Sequence, residues 1–122
     1  MTRAIADTDI LSAFGKVEKV EILGSLFDEI LIAPAVFEEL LQAQRAGFTF
    51  VEEVIKAAKL IPLDSELEPQ LGRGETESIA LAVSEKLVVL TNDKQAKRIC
   101  EVNSVFFMDL EEIKSAEGQR DT

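Results

Sequence analysis

The chain has 122 residues, with 23 acidic and 13 basic side chains and a formal net charge of −10. That length suits one domain with a true core, and 47% hydrophobic with 30% charged residues describes a globular chain, not a disordered one. With no histidine and one cysteine, Cys100, it excludes Ser-His and Cys-His pairs, an imidazole base, His-ligated zinc, thiolate metal clusters and an intramolecular disulfide.

In chain order, residues 3–7 (RAIAD) form a short apolar run closed by an acid and predict a buried strand. Residues 8–23 are helical in period, with Gly15 and Gly24 as candidate breaks. Residues 29–33 (EILIA) predict a second strand, and Pro34 opens a helix over 34–46 that ends at Gly47. A further helix is expected over 49–60, a short strand within 59–63 and a short helix over 64–71. The GRGE turn at 72–75 leads into a helix over 75–86. LVVLT at 87–91 is the clearest strand, followed by a helix over 93–102, a strand over 105–108 and a helix over 109–117. The domain is expected to span 1–117, with a disordered tail at 118–122.

No apolar run approaches the ~20 residues that cross a bilayer, and no basic segment followed by an apolar one opens the chain. A cytoplasmic protein without a membrane partner is expected. The net charge opposes diffuse binding to nucleic acid, so the acids are either solvated surface or gathered around a cation.

Continuous apolar strands alternating with helices predict an α/β fold with a parallel sheet covered on both faces. Sites in such folds form beyond the carboxyl ends of the strands. Asp7 and Asp93 follow two of those strands, although each also suits a helix N-cap. In the helix over 34–46, Val36, Phe37, Leu40, Leu41 and Ala43 make one arc. Glu39 falls at its border and Glu38 on the far side. In the helix over 75–86, the arc is drawn from Ile79, Ala80, Ala82 and Val83, which puts Glu75 inside and Glu77 opposite. Asp7, Glu39, Glu75 and Asp93 thus come from four segments. Brought together they would repel strongly, and oxygen-only donors favour Mg²⁺ or Mn²⁺ over zinc.

These residues resemble those of PIN-domain ribonucleases, the group that includes VapC-type toxins of toxin–antitoxin pairs. The resemblance is carried by IADTDILSAFGKVEKVEILGSLF at 5–27, ILIAPAVFEELL at 30–41 and GRGETESIALAVSEKLVVLTNDKQAKRIC at 72–100, in that order. It implies a three-layer α/β/α sandwich with a central parallel sheet, and an acidic Mg²⁺ or Mn²⁺ site that hydrolyses single-stranded RNA. Residue by residue, it implies that the metal-binding and catalytic acids are Asp7, Glu39, Glu75 and Asp93. Asp9 stands where Ser, Thr or Asn is more usual, and Glu75 where Asp is frequent.

Thr8, Asp9, Thr91 and Asn92 lie beside these acids as candidate supports of metal or its waters, with turn or cap roles as the alternative. Arg73, Lys94, Lys97 and Arg98 flank the site and offer phosphate contacts, or are plain helix-surface charge. Cys100 reads as a small core residue. Phe48, Phe50 and Val51 offer an apolar face for a homodimer or a basic antitoxin, unless they pack on their own core. Two rival functions start from the same residues. One is a PIN-like module that only binds a partner. The other is a haloacid-dehalogenase-like phosphatase suggested by Asp7-Thr8-Asp9, which Leu11 and the chain's length weaken.

Overall fold

A computed structural model describes residues 2–61 and 75–120, with the side chains of 75, 76, 119 and 120 outside that description. The expected helix over 64–71 and the turn at 72–74 lie outside the described residues.

Arg3–Ala6 forms strand β1, followed by helices α1 (Thr8–Lys16) and α2 (Glu21–Leu26). Strand β2 is Glu29–Ile32, α3 is Pro34–Arg45, α4 is Val51–Ala57 and β3 is Lys59–Leu60. Helix α5 (Glu75–Glu85) leads to β4 (Val88–Leu90), α6 (Lys94–Val102), β5 (Phe107–Met108) and α7 (Leu110–Arg120). The break after α1 falls at residues 17–20, so Gly15 and Gly24 both lie inside helices. Gly15 is required for a different reason. A Cβ there would stand 2.6 Å from Cδ2 of Phe50, the ring that packs the start of α4 against α1. Gly47 ends α3 at φ +98°, a conformation that favours glycine. Helix α7 continues through Gly118 to Arg120, beyond the expected end at 117.

Among the described residues the strands form one sheet, order β3-β2-β1-β4-β5, with every pairing parallel. The chain winds from β1 outward to β3, then returns past β1 to β4 and β5. Right-handed crossovers in opposite directions place helices on both faces, the three-layer α/β/α arrangement expected from the sequence. Burial explains the strand composition. Ala4, Ile5 and Ala6 of β1 and Val89 and Leu90 of β4 are wholly buried, because helices cover both sides. Ile10, Leu11, Phe14 and Leu23 pack from α1 and α2, Val36 and Leu40 from α3, and Val51 and Val54 from α4. Among the described residues no helix is long and apolar enough to cross a membrane.

The two edges of the sheet differ electrostatically. At the amino edge, Arg3 approaches Glu29 and Glu85 at 3.9 Å each, and Lys59 approaches Glu29 at 3.6 Å. At the carboxyl edge, β1, β4 and β5 lead into Asp7, Asp93 and Asp109.

Candidate active site

The order of strands reverses between β1 and β4, and parallel α/β sheets bind their ligands beyond the carboxyl ends of the strands at that point. Asp7 is the first residue past β1. Its N–H donates to the Leu90 carbonyl at 3.0 Å, which ties it to the end of β4. It occupies the N-cap position of α1 without making the side-chain capping bond that position normally provides. Its carboxylate is buried, the residue being 5% exposed. The negative charge there is felt across the core. Burial first, then Asp7 and Glu101, push the thiol of buried Cys100 up to about 11. Cys100 is thus a neutral packing residue at ordinary pH.

Asp93 behaves differently. Its carboxylate caps α6, accepting from the Ala96 N–H at 2.8 Å, and its own N–H donates to the Thr91 hydroxyl at 3.1 Å. Thr91 is buried and fixes this turn. Glu39 is exposed on α3 and accepts from the Thr8 hydroxyl at 3.2 Å, so the α3 acid meets the first residue of α1, directly after Asp7. Asp9 is exposed in the first turn of α1. The side chain of Glu75 lies outside the described residues, as does Arg73.

The helix α5 corrects the sequence reading. Its buried face holds Glu77, Ser78, Ile79, Leu81 and Ala82, while Val83 is 52% exposed. Glu77, placed on the solvent side by periodicity, is 8% exposed and accepts from the Ala35 N–H at 3.1 Å. Pattern counting missed it because its partner belongs to another helix, far away in the chain.

A second group escaped the sequence reading. Asp109 follows β5 and forms a reciprocal cap with Glu112. The Glu112 N–H donates to Asp109 at 2.9 Å, and the Asp109 N–H donates to Glu112 at 3.1 Å. Lys97 donates to Asp109 at 2.9 Å. These bonds, led by the Glu112 amide, hold the Asp109 carboxyl below its ordinary value. The D-L-E-E spacing at 109–112 is the signal that could have revealed it. Asn92 accepts from the Leu110 N–H at 3.0 Å, so it anchors α7 to the site edge. Lys94 and Arg98 are exposed on α6.

Away from this edge, Val51 is core, Phe50 is half-buried and Phe48 is exposed. The two rings meet edge to face at 6.0 Å, with the Lys16 ammonium 5.9 Å from each.

The donors at this edge are carboxylates and hydroxyls, which suit a hard divalent cation, and among the described residues no three of His, Cys, Asp or Glu are grouped to hold one ion.

A parallel sheet with carboxylates at its switch point defines an α/β protein with its candidate site beyond the carboxyl ends of the strands. Residues 3–107 match the family model described as "DUF3368: PIN domain". The chain belongs to the PIN-domain family, whose members are generally nucleases. No curated protein sequence matches it. Among solved structures it is similar to PAE2754 from Pyrobaculum aerophilum, at 15% identity and TM-score 0.67, covering 97% of this chain and 98% of that one. It is similar to the PilT N-terminus domain protein SSO1118 from Sulfolobus solfataricus P2, at 22% identity and TM-score 0.68, covering 95% and 93%. It is also similar to a chain of VapBC2 from Rickettsia felis, solved bound to a DNA fragment from their promoter, at 16% identity and TM-score 0.62, covering 88% and 98%. These likenesses concern the fold.

Proposed function

We propose that this chain is an endoribonuclease that hydrolyses single-stranded RNA with Mg²⁺ or Mn²⁺. The observation that carries the reading is Asp7. Its carboxylate is buried at the end of a central strand, at the switch point of the sheet, and does not cap its helix, a placement that suits an oxygen ligand for a hard cation. Family membership supplies the reaction class.

In this reading Asp7 and Asp93 are the principal metal ligands, with Glu39 and Glu75 ligating or holding metal waters. A bound divalent cation supplies Lewis acidity at the phosphodiester and neutralises its charge. Thr8 orients Glu39, and Thr91 orients Asp93, through the hydrogen bonds described. Lys94, Arg98 and Arg73 offer phosphate contacts. Lys97 does so only when it leaves Asp109.

The chain acts in the cytoplasm as a homodimer and as the toxin of a pair, in this reading, with an antitoxin that presents basic residues to a chain of charge −10. Phe48, exposed and packed edge to face on Phe50, supports an association surface. The likeness to a chain of VapBC2 supports the toxin class.

A second reading is a PIN-like module that binds a partner without catalysis, and the exposed Phe48 ring against Phe50 is the observation that favours it. Membership of the PIN family leaves the phosphatase reading without support.

Labelled single-stranded RNAs incubated with the purified chain separate the two. The nuclease reading expects cleavage with Mg²⁺ or Mn²⁺, none with chelator, and a loss of at least about 100-fold in Asp7→Asn. An inert wild-type chain across many RNAs and both metals would establish the binding module instead.

A further inference from the structure

Helix α3 begins poorly by local rules. Its N-cap is Ala33, which has no side chain to accept a first-turn N–H, and Pro34 occupies the first helical position. The first intrahelical bond runs from Phe37 N–H to the Ala33 carbonyl at 3.0 Å. Ala35 is buried, so water cannot take up its N–H. Glu77 of α5 takes it instead, at 3.1 Å, from 42 residues away.

That solution is expensive. A Ser at position 33 would cap α3 locally, without burying a charge. Here a carboxylate is almost wholly withdrawn from water and is compensated by the positive amino ends of two helices, α3 and its own α5. What the long-range cap adds is a fastening. It joins the first turns of α3 and α5 to each other at the carboxyl edge of the sheet.

Those two helices carry the proposed site acids that the sheet does not fix. Asp7 and Asp93 sit on strand ends, held by the ladder and by the Thr91 turn. Glu39 stands one turn beyond Ala35 on the same face of α3, and Glu75 is the first residue of α5. We propose that Glu77 is a positioning residue for the acid site, clamping α3 to α5 so that Glu39 stands over the Asp7 end of β1. The proposal deepens the nuclease reading and rests on it for the purpose of the clamp, not for its existence.

The test compares Glu77→Ala, which removes the acceptor, with Glu77→Gln, which keeps an acceptor oxygen and removes the charge. Three quantities are read on the full chain: hydrogen exchange of the Ala35 amide, Mn²⁺ affinity by water-proton relaxation, and kcat and KM on single-stranded RNA. In Glu77→Ala, Ala35 exchange accelerates at least about 10-fold, and Mn²⁺ affinity and kcat each fall about 10- to 100-fold. KM stays within about twofold, because the substrate contacts are elsewhere. Glu77→Gln restores all of them to within about threefold. If Glu77→Ala does not fold, Glu77→Asp, one methylene shorter, carries the same comparison.

Unchanged Ala35 exchange and Mn²⁺ affinity in Glu77→Ala would overturn the clamp. So would a Gln variant that protects Ala35 yet loses Mn²⁺ as fully as Ala, since the charge itself would then be the ligand. Absence of cleavage by the wild type overturns the nuclease reading alone, and the clamp is then decided by Ala35 exchange and Mn²⁺ affinity.

Discussion

Two aspartates at equivalent N-cap positions follow two adjacent strands, and they do different work. Asp93 spends one carboxylate oxygen on the Ala96 N–H, whereas Asp7 makes no such bond to α1. For Asp93 the structural and the proposed chemical roles therefore share one side chain and must be separated by substitution. Asn caps a helix about as well as Asp, and Ala costs about 1 kcal/mol. Asp93→Asn should thus keep its urea midpoint near wild type, while Asp93→Ala loses that amount. If Asp93 serves the metal, RNA cleavage disappears in both variants. Cleavage retained by Asp93→Asn would reduce Asp93 to a cap.

At the scale of elements, α7 is held to the site edge by Asp109, which caps it, and by Asn92, which accepts from its first N–H. The Asp109 carboxyl lies below its ordinary value of 3.8 in the folded chain. A lowered carboxyl binds fewer protons folded than unfolded, so its stabilisation is complete above the unfolded value and is lost as pH falls through the folded one. Asp109→Ala should therefore destabilise by about 1 kcal/mol at pH 7, the usual worth of such a cap. The gap from wild type should narrow below about pH 4. Urea unfolding at the two pH values reads this directly. A gap that is the same at both would mean that the Asp109 charge contributes nothing.

The elements also show what the sequence could and could not reveal. Strands β1, β2 and β4 were legible because burial on both faces demands unbroken apolar runs, and the acid Asp7 closes one of them. The parallel pairing and a site beyond the carboxyl ends followed from general rules of such sheets, whereas the order β3-β2-β1-β4-β5 left no mark in the sequence. Helix α5 was misread because its arc was drawn from Ile79, Ala80, Ala82 and Val83, without Leu81. Val83 proved to be exposed, and the buried face takes in Glu77, Ser78 and Leu81 instead. A polar residue buried by a partner on another helix, as Glu77 is, leaves no periodic trace. Asp109 was passed over for another reason. Its strand, β5, has only two residues, so the acid after it did not stand out.

At the scale of the whole molecule, the described charges of the sheet differ between its two edges. The basic side chains Arg3 and Lys59 are paired with acids at the amino edge, while Asp7, Asp93 and Asp109 line the carboxyl edge, where Lys97 pairs with Asp109. In a chain of net charge −10, this sorting concentrates negative potential where the cation is proposed. Mg²⁺ at 100 times its dissociation constant should add about 2.7 kcal/mol to the wild type, or about 10 °C in Tm. Screening of surface acids also raises Tm, and NaCl at matched ionic strength measures that share. The specific part should vanish in Asp7→Asn, leaving a variant that responds only to ionic strength. An equal Mg²⁺ shift in wild type and Asp7→Asn would place the ion elsewhere on the acidic surface and remove Asp7 from the site.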